Sequence, residues 1–98
     1  MALKTCPWNA ADQLDTPERI ALYLEAAFED GDPAVIAAAI GDAARAYGMT
    51  RLAKDTGLAR EALYRALSEN GNPELATILK VLKAFGLKLS AIEDQEAA

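Results

Sequence analysis

Apolar residues recur along the chain at the three-and-four spacing that places them on one side of an α-helix. Three stretches follow this pattern, over residues 17–30, 33–47 and 73–85. Each is predicted to pack its apolar side against a common core. The side chains expected to face that core are Ile20, Tyr23, Leu24, Ala27 and Phe28 in the first stretch, Ile36, Ile40, Ala43, Ala44 and Tyr47 in the second, and Leu75, Ile78, Leu79, Leu82 and Phe85 in the third.

The starts of these three helices are marked by a polar residue followed by proline. Thr16, Asp32 and Asn72 are the predicted caps, and each is followed by a proline. Proline has no backbone amide, but an amide at the first helical position has no partner within the helix, so the proline costs no hydrogen bond. A glycine follows each stretch, as is common at helix ends. Gly41 lies inside the second helix, where it costs about 1 kcal/mol relative to alanine and is compatible with a close helix crossing.

Between the second and third helices, Met49 to Leu67 reads as two short helices hinged at Gly57. Thr50 is predicted to cap the first helix, which runs from Arg51 to about Thr56. A left-handed backbone is cheap at a residue without a β-carbon, so Gly57 ends that helix, and a second one follows at 60–67. This pattern predicts a helix-turn-helix over residues 50–67. Its core-facing residues are expected to be Leu52, Ala53, Leu58, Leu63, Ala66 and Leu67.

The two ends of the chain have weaker patterns. Residues 1–15 are predicted to form an arm interrupted by Pro7, in which Trp8 either anchors the arm or contacts a partner. Residues 87–92 alternate apolar and polar side chains, which predicts a short strand or an extended arm. The expected organisation is an N-terminal arm at 1–15, one all-α domain of about five helices at 16–92, and an acidic tail at 93–98.

The net charge of −5 is unevenly distributed. Residues 1–48 carry three bases and eight acids, residues 49–88 carry seven bases and four acids, and the last ten residues carry three acids and no base. The predicted helix-turn-helix therefore lies in the one net-positive region. This segregation suits a protein with two partners of opposite charge, a polyanion and a basic protein, although an ordinary solvated surface is the alternative.

Catalytic, metal and cofactor chemistry find little support in the sequence. The chain has no histidine, and Cys6 is the single cysteine, so the usual general base and the usual zinc ligand sets are absent. The glycines lack the strand and lysine of a phosphate-binding loop. No apolar run approaches the ~20 residues of a membrane span, and no signal-peptide pattern precedes the first helix, so a cytoplasmic protein without a membrane segment is expected.

The remaining chemistry is recognition of nucleic acid. On the second helix of the pair, Arg60, Glu61, Tyr64 and Arg65 are predicted to point away from the core, where they can reach phosphates or base edges in a major groove. A second set of residues, at helix starts or in the following loop, is suited to bind phosphates. The alternative is that Arg60 and Arg65 only pair with Glu61 or Glu69 on a solvated helix. The phosphate-binding set is Thr50, Arg51, Asn70 and Asn72.

The run T-R-L-A-K-D-T-G-L-A-R-E-A-L-Y-R-A-L-S-E-N-G-N-P, with the upstream turn E-D-G-D-P, carries a family resemblance. It resembles the addiction-module antidote proteins, the helix-turn-helix antitoxins of type II toxin-antitoxin modules with a lambda-repressor-like DNA-binding domain. The resemblance covers nearly residues 5–90. One departure is Ala59, where the family usually has a serine that caps the helix and can contact phosphate.

This resemblance implies a homodimer that binds double-stranded operator DNA, represses its own operon and neutralises a cognate basic toxin similar to the RelE/ParE superfamily. It implies the same DNA-contacting positions that the residue pattern indicates, with 70–72 beside the DNA backbone. Two alternatives stay open: a helix-turn-helix regulator without a toxin, and a helical protein-interaction module that does not bind DNA.

Overall fold

A computed structural model describes residues 14–68 and 70–94 of the chain. Within them the regular structure is entirely helical, which confirms the all-α prediction. The N-terminal arm up to residue 13, with Cys6, Pro7 and Trp8, lies outside the described residues, as does most of the acidic tail. The five helices are α1 (Pro17–Asp30), α2 (Pro33–Tyr47), α3 (Met49–Thr56), α4 (Arg60–Ala66) and α5 (Leu75–Ala84).

The first two helices begin at the caps that the sequence indicates. The Thr16 hydroxyl accepts a hydrogen bond from the Arg19 amide at 3.2 Å, and the Asp32 carboxylate accepts one from the Ala34 amide at 2.9 Å. Each cap satisfies an amide of the first turn that has no partner within the helix. Gly31 then closes α1, and α2 begins two residues later. Local chemistry therefore sets both helix starts.

Two other predicted caps are wrong. Helix α3 begins at Met49, so Thr50 lies within its first turn and makes no capping hydrogen bond. Helix α5 begins at Leu75 after Glu74, so Asn72 and Pro73 belong to the preceding loop. In both cases the packing of neighbouring residues decides the boundary, because Met49 is buried directly after α2 ends and the chain at Gly71 lies against the last turn of α4.

The core lies where α1 packs on α2, α2 on α3, and α3 on both α4 and α5. Three predicted core residues are exposed instead: Phe28, Leu75 at 65% and Leu79 at 46%. Each lies at the edge of the apolar stripe of its helix. Successive residues are rotated by about 100° around the helix axis, so a residue at the edge of the stripe can face solvent. The residues that build the core are Leu14, Ile20, Leu24, Ala27, Ala39, Ile40, Ala43, Ala44, Met49, Leu52, Leu63, Leu67, Val81, Leu82 and Phe85.

The predicted terminal strand is absent from the described part of the chain. Helix α5 ends with the Gly86 amide donating to the Lys83 carbonyl at 3.0 Å and the Leu87 amide donating to the Leu82 carbonyl at 2.8 Å. Residues 87–94 then continue without regular structure. The apolar residues of the alternating pattern do not share one buried side: Leu87 packs on the core, whereas Leu89 and Ile92 are exposed. A strand needs a neighbouring strand, and the described residues offer none.

Gly41 marks a close approach of α2 to the end of α4. It is buried in the middle of α2, and a β-carbon at this position would overlap the backbone carbonyl oxygen of Leu67, which ends α4. The close crossing that the sequence indicated is therefore present. It holds the end of α4 against the backbone of α2.

Replacing Gly41 with alanine should destabilise the protein by about 1–3 kcal/mol, because the added methyl group forces α2 and α4 apart. Helix propensity alone gives the opposite sign, a gain of about 1 kcal/mol. Urea denaturation followed by circular dichroism measures the difference in the free energy of unfolding. An increase in stability would contradict the role of Gly41 as a contact point between helices.

Candidate nucleic-acid interface

Helices α3 and α4 are joined by a three-residue turn, Gly57 to Ala59. Gly57 has a left-handed backbone, with φ of 76°. The Thr56 hydroxyl donates to the Leu52 carbonyl at 2.7 Å and accepts from the Leu58 amide at 3.2 Å, so one side chain links the end of α3 to the turn. Ala59 precedes α4 in an extended conformation and gives it no side-chain cap.

The exposed side of α4 carries the four side chains that the sequence places there. Arg60, Glu61, Tyr64 and Arg65 are all exposed, whereas Leu63 on the opposite side is 1% exposed. At about 100° per residue, the four span roughly 140° of the helix circumference. The structure therefore brings them together on one polar surface, which we call the α4 face. Their contacts with DNA remain predictions.

Within the α4 face, Arg60 lies next to Tyr64. The guanidinium carbon is 5.6 Å from the centre of the tyrosine ring, and the Nη2 atom lies 3.5 Å from the phenol oxygen. Neither Arg60 nor Arg65 forms an ion pair with a carboxylate in the described part of the chain, Glu61 included. Glu69 lies outside the described residues. Both guanidinium groups are thus exposed on α4 without an ion pair to Glu61.

Arg51, on α3, is held by two neighbours. Its guanidinium carbon lies 4.2 Å from the centre of the Tyr47 ring, and its Nε atom is 3.9 Å from a carboxylate oxygen of Asp55. The Tyr47 hydroxyl in turn donates a hydrogen bond to Asp55. Thr50 is exposed beside Arg51 in the first turn of α3. The predicted phosphate-contacting arginine is therefore oriented by an aromatic ring and a carboxylate.

Tyr47 is the residue that sequence reasoning missed at this surface, because its position in the apolar stripe of α2 indicated only packing. Its ring does pack on Phe85, with ring centres 5.6 Å apart. The hydrogen bond to Asp55 raises the pKa of the Tyr47 phenol, burial adds to this, and the nearby Arg51 charge opposes it. No sequence signal indicates this contact, because Gly48 separates Tyr47 and Arg51 into two helices.

The loop between α4 and α5 places Asn70 and Asn72 on the surface. Gly71 lies between them, and a β-carbon there would overlap the carbonyl oxygen of Ala66. The Gly71 amide donates to the Ser68 carbonyl at 2.9 Å. The loop is thus folded closely against the last turn of α4, with both asparagine side chains exposed.

Neither a metal-ligand cluster nor a membrane-spanning helix is found in residues 14–68 and 70–94. These residues contain no cluster of three or more acidic, cysteine or histidine side chains suited to a metal ion. No helix among them has the length and apolar character to cross a bilayer. The α4 face and its surroundings are the candidate site that the geometry supports.

The sequence profile of a protein family described as "Probable addiction module antidote protein" matches residues 4–93. The chain belongs to this family. The match covers α1 to α5 and confirms the resemblance carried by the α3–α4 pair and its flanking turns.

A curated relative of this antidote-family protein is an uncharacterized protein of Haemophilus influenzae strain Rd. It is 40% identical over 90 residues, which cover 92% of this chain and 93% of the relative. No solved structure matches the chain. The similarity therefore extends over nearly the whole of both proteins.

In this antidote-family protein, a polar contact joins α1 to α2 beside the core. The Tyr23 hydroxyl donates to the Asp42 carboxylate at 2.7 Å, and Arg45 donates to the other carboxylate oxygen at 2.8 Å. Burial raises the pKa of Tyr23 to about 12, with further contributions from the hydrogen bond to Asp42 and its charge, against the opposing charge of Arg45. The protonated phenol therefore stabilises the α1–α2 pair.

Replacing Tyr23 with phenylalanine should lower the free energy of unfolding near neutral pH by about 1 kcal/mol. The raised pKa means that the contribution of Tyr23 is complete below pH 10.0, the ordinary tyrosine value, and is lost as the pH rises to about 12. The difference in stability between the wild type and the variant should narrow over that range. Urea denaturation at a series of pH values measures it.

Tyr64→Phe is the matched control, because within residues 14–68 and 70–94 its exposed hydroxyl makes only the long contact with Arg60. It should change stability by less than about 0.5 kcal/mol. A Tyr23→Phe difference that stays constant through the alkaline range would show that the Asp42 contact does not favour the protonated phenol.

Proposed function

We propose that this protein is a DNA-binding antitoxin of a type II toxin-antitoxin module, which neutralises a basic toxin similar to the RelE/ParE superfamily and represses its own operon. Membership of the antidote family supports the antitoxin role and implies a toxin partner. The observation that carries the DNA-binding part is the α4 face, where four polar side chains stand exposed on a short helix whose other side is buried.

In the proposed complex, α4 enters the major groove of double-stranded DNA. Arg60 and Arg65 offer planar guanidinium groups to guanine O6 and N7 or to phosphate, and Glu61 can accept from a cytosine amine. Tyr64 presents an aromatic surface with a hydroxyl group. The net charge of +3 over residues 49–88 favours approach of this region to a polyanion.

Contacts to the DNA backbone are assigned to α3 and to the loop after α4. Arg51 and Thr50 lie in the first turn of α3, and Asn70 and Asn72 extend from the loop that follows α4. Tyr47 restricts the Arg51 side chain before DNA arrives, which lowers the entropy lost on binding. Asp55 competes with phosphate for the same guanidinium group.

Repression as proposed requires a dimer whose two α4 helices lie about one DNA turn, ~34 Å, apart. The exposed Leu75 and Leu79 are four residues apart on α5 and so share one side of that helix. We assign this pair to the dimer contact. Exposed leucines at this spacing are suited to pack against their copies across a two-fold axis.

Toxin binding is assigned to the acidic part of the chain, residues 1–48. In its described portion, α1 and α2 carry most of the acids, and only Asp15 and Asp42 form ion pairs there. A basic toxin is complementary to this surface. DNA and toxin thus have separate sites.

Replacing Arg65 with alanine should relax operator preference and cost roughly 1–3 kcal/mol of binding to the operator, because Arg65 is proposed to read a base. Arg51→Ala should weaken binding to all sequences alike, because Arg51 is proposed to contact phosphate. Fluorescence anisotropy with the upstream region of the operon and with a scrambled duplex separates the two effects. It also gives the number of chains per duplex, expected to be two.

Arg19→Ala is the matched control, since it removes an exposed arginine of α1 outside the α4 face. It should leave operator binding nearly unchanged. Equal binding by wild type, Arg65→Ala and Arg51→Ala would overturn the DNA-binding proposal and favour a protein-interaction module.

Neutralisation is tested by co-expression with the product of a neighbouring short reading frame, which the proposal expects to be a basic protein. The wild-type antitoxin should restore growth that the neighbouring protein alone arrests, and the two should co-purify. The Arg65→Ala variant should restore growth equally well, because the α4 face is not assigned to the toxin. Continued arrest beside soluble wild-type protein would leave a DNA-binding regulator without a toxin as the better description.

A further inference from the structure

An apolar groove runs between α1 and the segment that follows α5. Its volume is about 540 Å³. Phe28 stands in one wall, 41% exposed at the edge of the apolar stripe of α1, and Leu89 and Ile92 are exposed in the other. Large apolar side chains grouped on a surface in this way indicate a site of interaction with another molecule. We call this feature the α1 groove.

The charges around the α1 groove are mostly negative. Glu25 and Glu29 line it from α1, against a single base, Lys88, from the other wall. Neither glutamate forms an ion pair with a cation in the described part of the chain. Both carboxylates are exposed at the rim of an apolar floor.

The position of Glu29 is unfavourable for α1 itself. The last turn of α1 contains Glu29 and Asp30 and no base, although the C-terminal end of a helix carries partial negative charge. The Asp30 carboxylate accepts a hydrogen bond from the Asp32 amide at 3.2 Å, which gives it a local role. Glu29 has no such contact among the described residues. A residue that opposes local stability is expected at a functional surface.

We propose that the α1 groove is the docking site for the toxin, and that it receives a segment of the toxin with apolar side chains flanked by lysine or arginine. This inference rests on the proposed antitoxin function and narrows it to one surface. The apolar side chains of the toxin segment fill the floor between Phe28 and Leu89, and its cations pair with Glu25 and Glu29 at the rim.

Charge distinguishes the toxin from other occupants. Two copies of this chain joined through the groove by a two-fold axis would bring the acidic rims together, which is unfavourable. DNA is repelled by the same carboxylates. The exposed pair Leu75 and Leu79 lies on α5, which contains no acidic residue, and offers a second copy an apolar contact.

Two substitutions test the groove, each with a matched control. Phe28→Ser removes the apolar wall, and Val35→Ser, on α2, removes an apolar side chain of nearly equal exposure, 40%, outside the groove. Glu29→Lys reverses a rim charge, and Glu74→Lys makes the same charge change before α5. Because lysine suits the last turn of α1 better than glutamate, Glu29→Lys should not weaken the helix.

Isothermal titration calorimetry with this protein and the toxin identified in the co-expression experiment measures the effect. Phe28→Ser should raise the Kd about tenfold or more, as expected for a central aromatic contact. Glu29→Lys should raise it severalfold and reduce its dependence on salt. Both control variants should bind the toxin like the wild type, and Phe28→Ser, Val35→Ser and Glu29→Lys should keep the operator affinity of the wild type.

The outcomes distinguish a failure of the groove inference from a failure of the proposed antitoxin function. If the wild type neither binds nor neutralises the product of the neighbouring reading frame, the proposed antitoxin function itself is wrong. If the wild type binds and both groove variants bind equally well, the toxin docks elsewhere and the groove inference is overturned. If Phe28→Ser converts a dimer to a monomer in analytical ultracentrifugation, a second copy occupies the groove and the inference is also overturned.

Discussion

The structure depends on the close approach of α2 to the end of α4. A helix of seven residues is not stable alone in water, so the conformation of α4 requires contacts from the rest of the chain. Gly41 provides one of them by letting the backbone of α2 lie against the Leu67 carbonyl, and Gly71 folds the following loop against Ala66 on another side. With Leu63 buried beneath, the helix is held along its inner side and at its end. The direction in which the α4 face points is therefore fixed by backbone contacts rather than by its own exposed side chains.

Helix boundaries could be predicted from the sequence where local hydrogen bonds decide them. Thr16 and Asp32 cap their helices because each side chain reaches an amide two or three residues ahead, whatever the rest of the chain does. Thr50 and Asn72 are the same residue types in similar sequence contexts, but tertiary packing sets those boundaries. Met49 is buried and joins α3 directly to α2, and the loop held by Gly71 delays the start of α5. A capping pattern cannot reveal these contacts, because they involve residues distant in sequence.

The features of the candidate site also divide into those that the sequence could predict and those that it could not. The exposure of Arg60, Tyr64 and Arg65 follows from the position of Leu63 on the opposite side of one short helix, so periodicity was sufficient to predict it. The surroundings of Arg51 were not predictable from periodicity, because Tyr47 belongs to a different helix and serves both the core and the surface. Phe28 was misassigned for a related reason. It lies at the edge of the apolar stripe of α1, and only the path of the 87–92 segment determines whether that edge is covered.

The net charge of −5 does not oppose DNA binding, because the excess of acidic residues lies outside residues 49–88. Glu25 and Glu29 line the α1 groove beside the segment after α5, whereas the α4 face lies on a helix that packs on α3 and, at its end, on α2. Exposed charges farther apart than the Debye length of ~8 Å at physiological ionic strength interact weakly, so the field of Glu25 and Glu29 acts mainly at the α1 groove. Within such a distance the local charge of +3 over residues 49–88 matters more than the total of −5. A small protein can therefore offer a basic surface to a polyanion and an acidic groove to a basic protein, provided that the two surfaces lie on different helices.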